Sequence, residues 1–263
     1  MSDPRHAYLA HDGALAFAHR GGTDRHPENT MAAFSYAVDL GYRYLETDVH
    51  LTTDGALVAF HDPDLGRLSD RSGQISDMTL AEVEAVSVVD DEGELHSIPT
   101  LDEIFTSFPN ARINIDPKTD ESVDPLIRAI RDHGAVERVC IGSFYDSRIR
   151  RCRQELGASL CTSMGPIEMA WLRASSFGLP FPKISDASCA QIPLVFKGHK
   201  LLDARLLDKA HEQGLQVHVW TIDQEAEMHR LLDMGVDGLM TDEVGLLRDT
   251  LVARNQWAAI APD

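Results

Sequence analysis

Short apolar runs alternate along the chain with longer stretches in which apolar residues recur at helical spacing. The first pattern is typical of buried parallel strands, and the second of helices that pack one face against a sheet. The predicted strands are 14–19, 42–49, 111–116, 138–143, 158–163, 187–192, 215–221 and 236–241. The predicted helices are 28–40, 100–108, 122–133, 145–156, 166–177, 203–213, 225–234 and 243–254. Eight strand–helix pairs predict an α/β fold, a (β/α)8 TIM barrel.

Residues 50–99 interrupt this alternation between the second predicted strand and the second predicted helix. The segment HLTTDGALVAFHD predicts a hairpin, because Asp54-Gly55 suits a tight turn between apolar runs. The polar residues that follow, about 62–99, are interpreted as a small insertion. Such insertions often build the rim of a barrel's active site, although a loop without a function is the alternative. We therefore predict a single domain, residues 1–263, that carries this insertion.

The composition fits a globular α/β protein, and its charge narrows the choice of ligands. The chain has 263 residues, 43% of them hydrophobic, which suits one barrel. It carries 24 Lys and Arg against 42 Asp and Glu, and the net charge of −18 disfavours nucleic acid and anionic lipid as partners. A phosphate ligand would need a local cation, either a metal ion or a few aimed Lys and Arg. A charged coat that only keeps the protein soluble is the alternative.

The sequence contains no pattern typical of a membrane span or of a disulfide framework. No run approaches 18 apolar residues, and the first residues lack the basic and apolar regions of a signal peptide. We expect a cytoplasmic protein with a small-molecule substrate, and the sequence leaves its oligomeric state open. The absence of a Cys-x-x-Cys pair argues against metal binding as well as against disulfides, so the four cysteines are expected to be buried free thiols: Cys140, Cys152, Cys161 and Cys189.

The first group of candidate functional residues follows the first predicted strand. His19 and Arg20 at a strand end offer a group that transfers protons and a bidentate phosphate ligand. The adjacent Gly21-Gly22 would let backbone N–H groups approach an anion closely. The alternative interpretation is a surface turn before a helix that is capped by Asn29 or Thr30.

Two further groups lie at the ends of the second and third predicted strands. Glu46 and Asp48 are two residues apart on a strand, so both carboxylates point to the same face. Two such charges need a cation or a shared proton, and hard oxygen ligands suit Mg²⁺ or Ca²⁺. Asn114, Asp116 and Lys118 also share one face, where Asp116 could complete a metal site and Lys118 could hold a phosphate oxygen.

A second histidine, in the pair His61-Asp62, follows the predicted hairpin and would reach the same end of the barrel. Together these motifs resemble, in order, the glycerophosphodiester phosphodiesterase family. The resemblance covers residues 14–254 and rests on HRG (19–21), PENT (27–30), ETDV (46–49), HD (61–62), IPTLDE (98–103), NIDPK (114–118), VWTID (219–223) and GVDGLMTD (235–242).

The resemblance implies a TIM barrel with an insertion after HD, and a site at the carboxyl ends of its strands. It implies a divalent metal ion bound by Glu46, Asp48 and Asp116, and acid–base catalysis by His19 and His61.

Further residues of the family motifs are implied to surround the phosphate and the metal. These residues are Arg20, Glu28, Asn29 and Lys118.

Three more side chains are candidates for substrate contacts, and two positions depart from the family pattern. Trp220 and Phe144 would pack on glycerol carbons and Gln191 would bind a hydroxyl, with core packing as the alternative for each. Asp116 is one methylene shorter than the Glu found in many members, so a water could bridge it to the metal. Asp223 stands where Asn is frequent, and we expect it to cap a helix.

The reaction that the resemblance implies is hydrolysis of a glycerophosphodiester to sn-glycerol 3-phosphate and an alcohol. The nucleophile is either water or the glycerol 2-hydroxyl, which would give a cyclic phosphate that is then opened. Lysophospholipase D or sphingomyelinase D-like activity is one alternative, but it needs an apolar entrance that 62–99 is too polar to form. A barrel that binds glycerophosphodiesters without catalysis is another. Loss of His19, His61 or a metal carboxylate would mark such a protein, and all are present.

Overall fold

The protein is described by a computed structural model that covers residues 6–11, 13–69, 71–90, 92–179, 186–196 and 198–257. Eight of its strands run parallel in the order β8-β7-β6-β2-β1-β13-β12-β9. Helices connect them, which confirms the predicted barrel. The strands are β1 Leu15–Ala18, β2 Tyr44–Leu51, β3 Leu57–Ala59, β4 Ser87–Val89, β5 Leu95–Ser97, β6 Arg112–Pro117, β7 Val139–Ile141, β8 Cys161–Thr162, β9 Cys189–Pro193, β10 Val195–Phe196, β11 His199–Lys200, β12 Gln216–Trp220 and β13 Gly238–Thr241.

Eight of the α-helices overlap the positions predicted from the periodicity, whereas α2 lies in the insertion, where no helix is predicted. Thr30 and Thr100 accept hydrogen bonds from the backbone of the first turns of α1 and α3, which fixes where these helices start. The helices are α1 Met31–Asp39, α2 Leu80–Glu84, α3 Leu101–Ser107, α4 Val123–Asp132, α5 Asp146–Leu156, α6 Pro166–Ser175, α7 Ala204–Glu212, α8 Glu225–Met234 and α9 Val244–Ala253. No helix in the described part of the chain is long and apolar enough to cross a membrane.

Alternate residues of the barrel strands pack in two separate layers. Ala16 and Ala18 of β1 belong to the large cluster that includes the apolar faces of the surrounding helices. Leu15 and Phe17 belong to a second cluster, with Tyr44, in the barrel interior. Side chains two residues apart on a strand point to the same face, so Glu46 and Asp48 of β2 point into the barrel as Tyr44 does. They lie nearer the carboxyl end of β2.

The barrel is least continuous between β8 and β9. Ser163 and Cys189 form an isolated parallel bridge there, whereas β9 pairs with β12 over five residues. Two further backbone bonds cross this seam, from Met164 N–H to the Cys189 carbonyl and from Ser188 N–H to the Thr162 carbonyl.

The insertion after β2 has a small core of its own. β3 pairs antiparallel with β2, as the hairpin prediction requires, and β4 pairs antiparallel with β5. Leu65, Ile75 and Val83 pack beneath this segment with Val58 and Phe60. No described residue of 62–99 lines the cavity at the barrel mouth, so this segment reaches the predicted site only through contacts with residues beside it.

Candidate active site

The predicted site residues converge on a cavity of about 530 Å³ at the carboxyl ends of the barrel strands. Glu28 and Asn29 are buried next to it and contact residues that line it. The other ten predicted residues line the cavity: His19, Arg20, Glu46, Asp48, His61, Asp116, Lys118, Phe144, Gln191 and Trp220.

His19 lies at the end of β1 and is oriented by a carboxylate from the last barrel strand. Its Nδ1 lies 2.7 Å from Asp242 Oδ1, and its Nε2 lies 3.8 Å from Glu46 Oε2. Burial lowers the pKa of His19, but the charge of Glu46 and the hydrogen bond to Asp242 outweigh it, so the pKa is raised. With Nδ1 bound to Asp242, Nε2 is the nitrogen left to exchange a proton in the cavity.

His61 forms a second histidine–carboxylate pair at the cavity edge. Its Nδ1 lies 2.6 Å from Asp62 Oδ1, and about a third of its side chain is exposed. Asp62 in turn accepts a hydrogen bond from Arg67 Nε. Two histidines with one nitrogen each held by an aspartate therefore face the same cavity.

The backbone of the β1–α1 segment brings Arg20 against the carboxylates of β2. Arg20 and Asn29 adopt left-handed conformations, with φ of 52° and 57°. Arg20 donates its backbone N–H to Glu46 Oε2 at 3.0 Å, and its Nη1 donates to Glu28 Oε1 at 3.0 Å. Asn29 donates to Asp48 Oδ2 at 3.4 Å. Glu28 therefore holds Arg20 in place, and Asn29 holds Asp48.

The acidic residues surround the Lys118 ammonium group. Lys118 Nζ lies 2.6 Å from Asp48 Oδ1 and 2.9 Å from Asp116 Oδ2. Burial raises the pKa of Asp48, but Lys118 and Arg20 lower it by more, whereas the pKa of Asp116 stays raised by burial. Burial and the charge of Asp48 raise the pKa of Glu46 to about 7.

These carboxylates fit a divalent cation in their chemistry. The raised pKa of Glu46 reports two buried like charges on one strand face, which a hard cation would relieve. The ligand oxygens of Glu46, Asp48 and Asp116 do not all lie within 4.8 Å of one another. Binding of one cation by all three therefore requires these side chains to rearrange, and Lys118 now bridges two of them, Asp48 and Asp116.

The cavity wall opposite the histidines and carboxylates is apolar. The sequence does not predict this wall, because the insertion at 62–99 is too polar to form one. The first turns of α6 contribute Met169 and Ala170, and the segment after β9 contributes Phe196 and Leu201. Phe144 lies edge-on to Trp220, with ring centroids 6.0 Å apart. An apolar surface is thus present, but α6 and its neighbours form it rather than 62–99.

Three functional contacts are not predicted from the sequence. Asp242 is part of the motif GVDGLMTD (235–242), but the sequence analysis gives it no role. Its position at the end of the last strand, which pairs with β1, could have indicated its contact with His19. Arg67 donates to both oxygens of Glu28, at 3.0 and 2.5 Å. Asn114 Oδ1 accepts a hydrogen bond from Gln191 at 2.9 Å, which orients Gln191 at the cavity.

The expected helix cap at Asp223 is wrong. Gln224 is the N-cap residue of α8 and makes no side-chain cap. Asp223 Oδ1 instead accepts hydrogen bonds from the Thr241 hydroxyl at 3.0 Å and from the Asp242 backbone at 2.8 Å. Asp223 therefore fixes the segment that carries the partner of His19.

The Gly21→Ala substitution is expected to destabilise the protein. Gly21 has φ +87°, and an added Cβ would lie 2.8 Å from the Ala33 Cβ and 3.0 Å from the Phe34 ring. Gly55 is a matched control, because it has φ +90° and no neighbour within 4 Å. Urea unfolding should show Gly21→Ala less stable than Gly55→Ala by about 1–3 kcal/mol, the usual range for overpacking. Equal losses would mean that the close approach of Gly21 to α1 is not required.

The Asp242→Asn variant is expected to lower kcat by up to about 10²-fold, the size of effect that misplacement of a reacting group produces. Because Asp242 raises the pKa of His19, its loss should also move to lower pH the limb of the pH–rate profile that His19 controls. This is the acidic limb if His19 is the general base and the basic limb if it is the general acid. KM should change little. A profile that keeps both limbs in place would show that Asp242 does not act through His19.

Comparison with known proteins identifies the family. The profile of the glycerophosphoryl diester phosphodiesterase family matches residues 19–246. A relative from Mycobacterium tuberculosis, named probable glycerophosphodiester phosphodiesterase 2, is 39% identical over 98% of this chain and 99% of its own. The chain belongs to the glycerophosphoryl diester phosphodiesterase family. This match confirms the resemblance and the enzyme class predicted from the sequence.

Two other comparisons bear on the family's range. A lysophospholipase D of Homo sapiens is 30% identical over 89% of this chain and 85% of its own. A phosphodiesterase of Oleispira antarctica, solved in complex with the product sn-glycerol-3-phosphate, covers 91% of this chain and 97% of its own with a TM-score of 0.75. At 23% identity this structural likeness shows the barrel fold alone.

Proposed function

We propose that the protein hydrolyses glycerophosphodiesters to sn-glycerol 3-phosphate and an alcohol, with a divalent cation and two histidines. The observation that carries this proposal is the placement of two histidine–aspartate pairs, three carboxylates and two cationic side chains around one cavity. The family supports the reaction class, and the product bound to the Oleispira antarctica relative supports the substrate.

The cationic side chains bind the phosphodiester in this proposal. Arg20 and Lys118 both line the cavity and lie beside acidic residues that fix their positions. A phosphate oxygen would accept hydrogen bonds from these groups as its charge grows toward the transition state. Glu28 does not bind the phosphate itself in this proposal. Its carboxylate holds the guanidinium groups of Arg20 and Arg67 in position.

Glu46, Asp48 and Asp116 would hold the cation, Mg²⁺ or Ca²⁺. When bound, it supplies a Lewis acid that neutralises phosphate oxygens and orients them for displacement. The chain contributes a rigid support, since Glu46 and Asp48 stand on β2 and each pairs with its neighbour on β6.

The two histidines divide the proton transfers. One takes the proton of the nucleophile and the other gives a proton to the departing alcohol. His19 is held deep in the cavity against Asp242, and His61 stands at its more exposed edge against Asp62. Each imidazole keeps one nitrogen for the substrate because its Nδ1 is bound to a carboxylate.

The direct test is release of sn-glycerol 3-phosphate from glycerophosphocholine and glycerophosphoethanolamine by the purified protein. Turnover of either compound would support the proposal, and binding without turnover by the metal-loaded protein would indicate a barrel that only binds them. Arg20→Met should raise KM and lower kcat/KM by at least about tenfold, because a charge-assisted hydrogen bond to phosphate is worth about 1.5–3 kcal/mol.

A second candidate function, lysophospholipase D activity, is favoured by the apolar wall of the cavity. Met169, Leu201 and Phe196 provide a surface where an acyl chain would lie while the phosphate meets Arg20 and Lys118. Two of the exposed apolar side chains, Phe144 and Phe196, also line the cavity, so the apolar surface reaches solvent. Glycerophosphocholine itself has no group that would use this wall.

The Met169→Gln variant distinguishes the two substrates. It keeps the side-chain length but makes the wall polar, so kcat/KM for lysophosphatidylcholine should fall about tenfold. Turnover of glycerophosphocholine should change little. If wild-type protein does not turn over lysophosphatidylcholine, or the variant loses both activities equally, the wall does not bind an acyl chain.

A further inference from the structure

Three of the four cysteines meet in the barrel interior. Cys140, Cys161 and Cys189 are fully buried on β7, β8 and β9, and their sulfur atoms all lie within 4.8 Å of one another. The Sγ atoms of Cys140 and Cys189 are 3.9 Å apart. Tetrahedral zinc with Zn–S bonds near 2.3 Å requires sulfur atoms about 3.8 Å apart, so this pair already has the spacing of zinc ligands.

A buried histidine beside the cluster would supply the fourth ligand. Neither of its ring nitrogens lies within 4.8 Å of all three sulfur atoms, so its side chain would have to shift toward them to bind the same ion. His218, on β12 next to β9, is fully buried, and its Nδ1 has no hydrogen-bond partner. Its Nε2 lies 3.1 Å from Gln216 Oε1, which leaves Nδ1 as the nitrogen with unused capacity. A buried polar atom without a partner is costly, and a metal ion bound to it would remove that cost.

The chemistry of these side chains suits a soft metal. Zinc binds cysteine as the thiolate and histidine as the neutral imidazole, so the thiol protons would be released to solvent as the metal binds.

The position of the cluster gives it a structural role. Cys161 and Cys189 stand on either side of the β8–β9 seam, where strand pairing is reduced to one bridge. Gln191, two residues beyond Cys189, donates to Asn114 across the barrel, between the cluster and the cavity. A metal bound by these four residues would connect β7, β8, β9 and β12 beneath the active site.

We propose that Cys140, Cys161, Cys189 and His218 form a zinc site that closes the barrel at the β8–β9 seam. Three cysteines and one histidine are a common ligand set of structural zinc sites. This site and the carboxylate site in the cavity should bind different metals, since thiolates select soft metals and carboxylates select Mg²⁺ or Ca²⁺.

Elemental analysis of protein produced in zinc-supplemented medium and then dialysed against EDTA tests the proposal. One zinc per chain is expected to remain, because the site is buried. A mercurial reagent that blocks thiols should release that zinc to a colorimetric indicator. Protein produced with Co²⁺ should show thiolate-to-cobalt charge-transfer absorption.

The fourth cysteine supplies the matched control. Cys152 is buried on α5 outside the cluster, so Cys152→Ala should keep one zinc, whereas Cys161→Ala and Cys189→Ala should keep none and should melt at lower temperature. Glu46→Gln should also keep the zinc, since it alters the carboxylate site only. If the variants fail to fold, the zinc content of the wild-type protein still tests the proposal. Wild-type protein without zinc, with four thiols free after unfolding or with a disulfide in the cluster, would overturn the proposal.

Discussion

Replacing His19 with alanine is expected to lower kcat by at least about 10²-fold, the usual contribution of a positioned acid or base. The same loss is expected for His61→Ala, because both imidazoles keep one nitrogen for the substrate. Folding should be preserved, since neither side chain belongs to the apolar clusters. Steady-state kinetics with glycerophosphocholine, together with melting temperatures, would measure both effects.

A control variant and a substrate with a better leaving group show whether each histidine transfers a proton. His211 also pairs with an aspartate, Asp237 at 2.8 Å, but lies outside the cavity, so His211→Ala should keep nearly full turnover. A p-nitrophenyl phosphodiester releases an anion that needs no proton, so it should restore turnover to the variant that lacks the acid and not to the other. Near-normal turnover of glycerophosphocholine by either variant would show that its histidine carries no proton.

Removal of divalent cations is expected to lower activity by about 10³-fold or more, because a Lewis acid on the phosphate supplies several kcal/mol in the transition state. Added Mg²⁺ or Ca²⁺ should restore it. The cation should also raise the melting temperature, since it binds the native carboxylates and relieves their repulsion. Assays before and after chelation, with metal content measured in the same samples, would test this.

Asp48→Asn serves as the control for the cation. This variant keeps the shape of the side chain but removes a charge that also pairs with Lys118, so added cation should stabilise it less than the wild type. Full activity of the wild-type protein in excess chelator, with no metal detected, would contradict the role of the cation.

The sequence predicts the barrel and the polar residues of the site because both depend on local patterns. Each barrel strand overlaps its prediction, since apolar runs and helical periodicity are properties of neighbouring residues. Glu46 and Asp48 share a face because they are two residues apart on one strand.

The contacts that the sequence does not predict depend on how the barrel closes. His19 meets Asp242 only because the first strand pairs with the last, which brings together residues 223 positions apart. The apolar wall comes from residues such as Met169, which have the same pattern as core residues of a helix. The meeting of Cys140, Cys161 and Cys189 depends on the order of strands around the barrel.

Phosphorus NMR of glycerophosphocholine incubated with the metal-loaded protein in ¹⁸O-labelled water tests the central proposal most directly. We expect the diester signal to be replaced by that of sn-glycerol 3-phosphate, with one ¹⁸O on phosphorus, whether water attacks first or opens a cyclic phosphate. Free choline without label should accumulate in equal amount. No turnover, formation of phosphocholine and glycerol, or ¹⁸O in choline instead of phosphate would contradict the proposed reaction.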